Sequence, residues 1–151
     1  MSVHALIFVS VFIALLVGHY IGDFWLQTSR QATDKALKNW RGRLACARHA
    51  IALAITKAAI LAITVIVTEL HVSIAAVTLA LVVDAVSHYW ADRRTTLQKL
   101  ADIFGKGGFY TLGKPRPGRD DNPVLGTGAH ALDQAWHITW IWIAALIVAI
   151  A

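Results

Sequence analysis

Four stretches of this chain are apolar for about twenty residues or more, blocks longer and less interrupted than a packed soluble core needs. They cover residues 3–27 (VHALIFVSVFIALLVGHYIGDFWLQ), 48–70, 72–92 and 129–151. An α-helix rises 1.5 Å per residue, so about 20 residues cross a hydrocarbon core of about 30 Å. Within lipid, a helix also satisfies its own backbone polar groups. The expectation is therefore an all-α fold, an integral membrane four-helix bundle that forms one domain over residues 1–151. With 57% apolar and 15% charged residues, the composition excludes a disordered tail. Cys46 is the single cysteine, which excludes an intrachain disulfide, a Cys-rich zinc module and a C-x-x-C redox motif. Nothing basic precedes the first apolar run and no small-x-small cleavage site follows it, so it reads as a retained span rather than a signal peptide.

The basic residues give the direction of threading. Six of the 14 Lys and Arg lie between the first two stretches or at the first residue of the second (Arg30, Lys35, Lys38, Arg41, Arg43 and Arg48). Seven more lie between the last two (Arg93, Arg94, Lys99, Lys106, Lys114, Arg116 and Arg119), and only Lys57 remains, inside the second stretch, to snorkel or pair. The positive-inside bias places loops 28–47 and 93–128 in the cytoplasm and both termini outside, with the turn near Glu69 and His71 facing outward. A net charge of +5 would permit a nucleic-acid partner. Confinement of that charge to two loops points instead to topology and to membrane lipid, and no nucleic acid is expected. The first loop is expected to carry a surface helix near 32–40. In the second, Leu97, Leu100, Ala101 and Phe104 form one stripe at i, i+3, i+4 and i+7, a short amphipathic helix on the membrane surface or beneath the bundle. Its remainder, 105–128, is rich in Gly and Pro and reads as an irregular loop or lid.

Polar residues inside the spans are not scattered. His19, Asp23 and Gln27 follow at steps of four, so they share one helical face. Asp84, His88 and Asp92 repeat that step; His130, Asp133, Gln134 and His137 follow i, i+3, i+4 and i+7; and His49 stands near the start of the second span. Because successive spans cross in opposite directions, all of these fall in the cytoplasmic half. Counting inward at about 1.5 Å per residue sets Asp23, His88 and Asp133 roughly 6 Å deep and His19, Asp84 and His137 roughly 12 Å deep. Five of the seven histidines belong to this cluster.

Ionisable groups inside a bilayer turn inward, pair, and mark function. Imidazole nitrogen and carboxylate oxygen suit zinc, manganese or iron, and helical spacing aims two such donors at one point. The ligand candidates are His19, Asp84, His88, Asp133 and His137. Asp23 serves as a further ligand or as a catalytic general base, and Gln27, His49 and Gln134 orient the ligands. With an open position, such a metal acidifies water for hydrolysis. Two other readings stay open: interhelical polar glue, and a proton or ion relay. No H-E-x-x-H motif is present.

The runs GHYIGDFWLQT at 18–28, RHA around His49, VVDAVSHYWADRR in the third span and ALDQAWH at 131–137 resemble an uncharacterised family of small four-span membrane proteins from bacteria and their phages. That family carries G-H-x-x-x-D-F-x-L-Q and D-Q-x-x-H motifs. The general plan is also distantly similar to membrane-bound metal-dependent hydrolases. The resemblance implies a multi-pass protein of the cell inner (cytoplasmic) membrane. It marks His19, Asp23, Gln27, His49, Asp84, His88, Asp133, Gln134 and His137. The combined expectation is a cytoplasm-facing divalent-metal site, hydrolytic on a lipid-linked or amphiphilic substrate. The alternative is a non-catalytic membrane accessory or interaction protein, such as a phage-encoded one, with a structural cluster; a homo-oligomer fits either.

Overall fold

Each long helix begins on a residue whose side chain satisfies an otherwise unpaired backbone N–H of the first turn. Ser2 accepts from Ala5 N, Asn39 from Gly42 N, Ser73 from Ala76 N and Thr127 from His130 N. The computed structural model describes residues 2–116, 118 and 126–151. Among these, α1 (Val3–Tyr20) continues into a π-helical turn (Ile21–Leu26), followed by α2 (Ser29–Asp34), α3 (Trp40–Val67), α4 (Ile74–Asp92), α5 (Thr95–Ile103), the short α6 (Gly107–Tyr110) and α7 (Gly128–Ala149). No strand occurs among the described residues.

Four of these helices are long and apolar enough to cross a membrane: Val3–Leu26, Trp40–Val67, Ile74–Asp92 and Gly128–Ala149, of 24, 28, 19 and 22 residues. Helix α1 packs on α3 and α7, and α4 packs on the same two, closing a four-membered ring. Neighbours run antiparallel. Gly18 of α1 lies against Lys57 of α3 while Gly22 lies against Leu53, and His4 at the start of α1 reaches Ala149 O at the end of α7 at 2.5 Å. Glycine is required at the first of these positions, because a Cβ on Gly18 would stand 2.8 Å from Lys57 Cα.

The two ends of the ring differ in chemistry. At one end Val11, Leu15, Leu61, Ile141, Ala145 and Val148 form a dry core. At the other, the interior is built from histidines, aspartates and a lysine. The outer surface is apolar: Ile13, Ile51, Ile55, Ile63, Val82 and Val86 are each more than half exposed, the opposite of a water-soluble bundle.

The basic connections fold against the polar end. Residues 28–39 are clipped to the end of α4, where the Arg93 guanidinium donates to Lys35 O at 2.6 Å and also to Leu37 O. The surface helix expected near 32–40 is displaced: a capping box between Thr28 and Gln31 starts it at Ser29, and Asn39 instead caps α3, which begins well before residue 48. In α5, Leu97 and Ala101 are buried against Tyr110, Trp90 and Trp136, so the amphipathic helix packs beneath the bundle. Phe104, expected on the same stripe, is 71% exposed, because α5 ends at Ile103 and the chain turns away at Gly105, where φ is +67°. Of the Gly- and Pro-rich remainder of that loop, residues 117 and 119–125 lie outside the described residues.

Candidate metal centre

The antiparallel ring brings the C-terminal ends of α1 and α4 beside the N-terminal halves of α3 and α7, and each end delivers its own ligand-type side chain. Asp23 comes from the π-helical turn, His49 from α3, His88 and Asp92 from α4 and His137 from α7. Four of their atoms crowd together. His49 Nε2 lies 3.0 Å from His88 Nε2, 3.0 Å from Asp23 Oδ1 and 3.4 Å from Asp92 Oδ2. His88 Nε2 lies 3.6 Å from Asp23 Oδ1 and 3.2 Å from Asp92 Oδ2.

Hydrogen bonding alone accounts poorly for this crowd. Each imidazole Nε2 carries at most one proton, yet His49 Nε2 faces three possible acceptors. Asp23 Oδ1 and Asp92 Oδ2 are buried without a hydrogen bond, although both lie near imidazole nitrogens. The ligand atoms of His49, His88 and Asp92 all lie within 4.8 Å of one another, and Asp23 Oδ1 adjoins the two imidazoles. Metal bonds of about 2.1 Å set ligand atoms about 3.0 Å apart at adjacent octahedral positions and about 3.4 Å apart in a tetrahedron. The five separations, from 3.0 to 3.6 Å, bracket both values. This donor set could hold a divalent ion.

Two further triads adjoin it. His19, Asp23 and His88 offer ligand atoms within 4.8 Å of one another, and so do Asp92, Asp133 and His137. The rings of His88 and His137 stack with centroids 3.9 Å apart, and those of His19 and His137 are 5.2 Å apart. The two depths expected from residue counting therefore merge into one layered cluster.

Supporting contacts orient these groups. Lys35 Nζ donates to Asp92 Oδ1 at 2.7 Å and leaves Oδ2 to the cluster. Gln134 Oε1 lies 3.2 Å from His19 Nε2, and Asp133 Oδ1 lies 3.4 Å from His137 Nε2. Gln27 Nε2 is buried without a hydrogen bond.

Of the residues singled out by sequence, His19, Asp23, His88, Asp133 and His137 lie in the cluster. Gln134 contacts it, and His49, expected only to orient ligands, stands at its centre. Asp84, expected as a ligand, lies apart from it. Its Oδ2 takes Lys57 Nζ at 2.6 Å, and both side chains are almost wholly buried. The rotation of α3 that brings Lys57 against Gly18 also delivers the ammonium to Asp84. Asp92 and Lys35 were not among the candidates. The step from His88 to Asp92 was visible in the sequence, but a nominal position at the membrane edge concealed Asp92's burial. Lys35 has no local signal, since it pairs 57 residues away.

A family model described as "protein of unknown function (DUF3307)" matches residues 11–151. The chain belongs to that family. The match takes in all four apolar helices, the first eight residues of Val3–Leu26 excepted, and every residue of the cluster. No curated protein and no solved structure matches the chain.

Proposed function

We propose that this family member is a multi-pass protein of the bacterial cytoplasmic membrane, with both termini outside and a divalent-metal site at its cytoplasmic end. The supporting observation is that His49 Nε2 and His88 Nε2, 3.0 Å apart, each lie 3.0–3.6 Å from Asp23 Oδ1 and Asp92 Oδ2, two carboxylate oxygens left without hydrogen bonds. His49, His88, Asp23 and Asp92 bind the ion, Lys35 orients Asp92, and His137 with Asp133 forms an adjoining ligand pair. Four protein ligands would close a tetrahedral zinc site, whereas six-coordinate manganese or iron would keep positions for water or substrate. Hydrolysis of an amphiphilic substrate therefore favours manganese or iron, with Asp133 as the acid near enough to act as base and partly exposed.

The test is metal analysis of the full-length protein purified in detergent from metal-supplemented cells. About one equivalent of manganese, iron or zinc is expected, lost in His49→Ala and His88→Ala and kept in Asp84→Asn. A metal-free wild type that gains no thermal stability from any of the three ions would instead support polar glue. The buried Lys57–Asp84 pair shows that this bundle does join helices by ion pairing.

A further inference from the structure

A cavity of about 540 Å³ opens beside the His/Asp cluster, and its lining is divided by charge. Asp23, Asp92 and Asp133 contribute to it, and each already faces a cationic or imidazole partner: His49, Lys35 and His137 respectively. Arg94 and Lys114 also line it. Their situation is different. Among the described residues the Arg94 guanidinium makes one long contact, 3.4 Å to Ala32 O, although it has five N–H donors. Lys114 Nζ stands 5.7 Å over the Tyr110 ring. Gln27, whose buried amide nitrogen has no hydrogen bond, lines the same space. Two cations and an unused amide donor thus share one cavity with carboxylates that are already engaged.

The cavity also reaches the lipid-facing exterior. Phe24, on the π-helical turn, is 46% exposed and lines it, with its ring 6.4 Å from that of His130 on α7. The cavity therefore opens onto the outer surface between the π-helical turn and α7. Its polar side carries two exposed cations of the kind that take phosphate oxygens through charge-assisted hydrogen bonds. Backbone contacts hold the main chain at Arg94: its N donates to Ala91 O at 2.8 Å, and its own carbonyl accepts from Tyr110 Oη at 3.3 Å.

We infer that this cavity is a binding site for a phosphate-bearing headgroup, held by Arg94, Lys114 and the Gln27 amide beside the His/Asp cluster, with any attached chain leaving past Phe24 into the bilayer. The inference names the substrate class of the proposed metal centre and rests on that reading for its chemical purpose, but binding itself needs no metal.

Calorimetric titration of the full-length protein in neutral detergent, with and without added manganese, tests it. The probes are dioctanoyl phosphatidic acid, dioctanoyl phosphatidylcholine and inorganic pyrophosphate. Phosphatidic acid is expected to bind at least about tenfold more tightly than phosphatidylcholine. Arg94→Gln and Lys114→Gln should each weaken it about 5- to 30-fold while melting temperature and metal content stay at the wild-type level. Pyrophosphate weaker than phosphatidic acid assigns the headgroup to a lipid; equal or tighter pyrophosphate assigns it to a soluble phosphate, and both support the site. Equal affinity for the two lipids, or unchanged affinity in both variants, overturns it. A protein that binds metal but shows neither preference keeps the metal centre and loses this inference. One that binds phosphatidic acid through Arg94 and Lys114 but never holds metal does the reverse.

Discussion

Lys57 and Asp84 are the residues whose burial is hardest to sustain alone. A lone charge in a membrane interior is costly, and here the ammonium and carboxylate meet at 2.6 Å with almost no exposure. Removing one partner strands the other, so Lys57→Ala is expected to destabilise the bundle by about 3–5 kcal/mol in denaturant unfolding from bicelles. Lys57→Met with Asp84→Leu should recover most of that loss, because apolar groups of similar size leave no buried charge. A double variant as unstable as the single one would mean that the pair does more than neutralise itself. The histidines call for a different measurement. Protons compete with metal for imidazole nitrogen, so affinity for manganese should rise with pH. Occupancy that is flat from pH 5 to 7.5 would count against imidazole ligation. At this scale the sequence was informative about which residue types cluster and much less so about their pairing. Steps of four identify a shared face on one helix, but they do not say which helix that face meets. For this reason Asp84 and His49 exchanged places, one taken by Lys57 and the other drawn to the centre.

The elements were legible where their physics is local. Long apolar runs marked the four membrane-length helices, and the Leu97 and Ala101 stripe marked α5. The departures occur where a cap or a backbone contact decides. Thr28 with Gln31 starts α2 early, Asn39 extends α3 by about two turns, and the π-helical turn at Ile21–Leu26 has no counterpart in side-chain periodicity. That turn carries Asp23 into the cluster, a placement in keeping with the tendency of π-turns to occur at functional sites. Its position depends on how closely α1 approaches α3. A Cβ on Gly18 would meet backbone at Lys57 Cα, whereas one on Gly22 would first meet the movable end of Leu53. Gly18→Ala is therefore expected to cost about 1–3 kcal/mol, and Gly22→Ala less, because a leucine tip changes rotamer more readily than a helix shifts. The reverse order in the same unfolding assay would show that the α1–α3 contact is looser than these distances.

At the scale of the whole molecule, one polar end and one apolar end make the bundle vectorial. Both basic connections fold against the polar end: Lys35 enters the cluster, Arg93 clips the first loop to α4, and Arg94 and Lys114 line the cavity. The charges that would set topology during insertion are thus neighbours of the proposed site. If the positive-inside bias governs insertion, the site must face the cytoplasm, where soluble metal pools and phosphate-bearing metabolites are accessible. Sequence carries this argument through charge counting, and the ring of helices adds that both loops lie at one end of it. Cysteine accessibility separates the two orientations. In a Cys46→Ser background, His71→Cys lies at the opposite turn and Lys99→Cys on α5, and both positions are exposed. A membrane-impermeant maleimide applied to spheroplasts is expected to label His71→Cys directly and Lys99→Cys only after permeabilisation. The opposite pattern would move the His/Asp cluster to the outer face, and the metal supply and the phosphate-bearing ligand would then have to come from outside the cell.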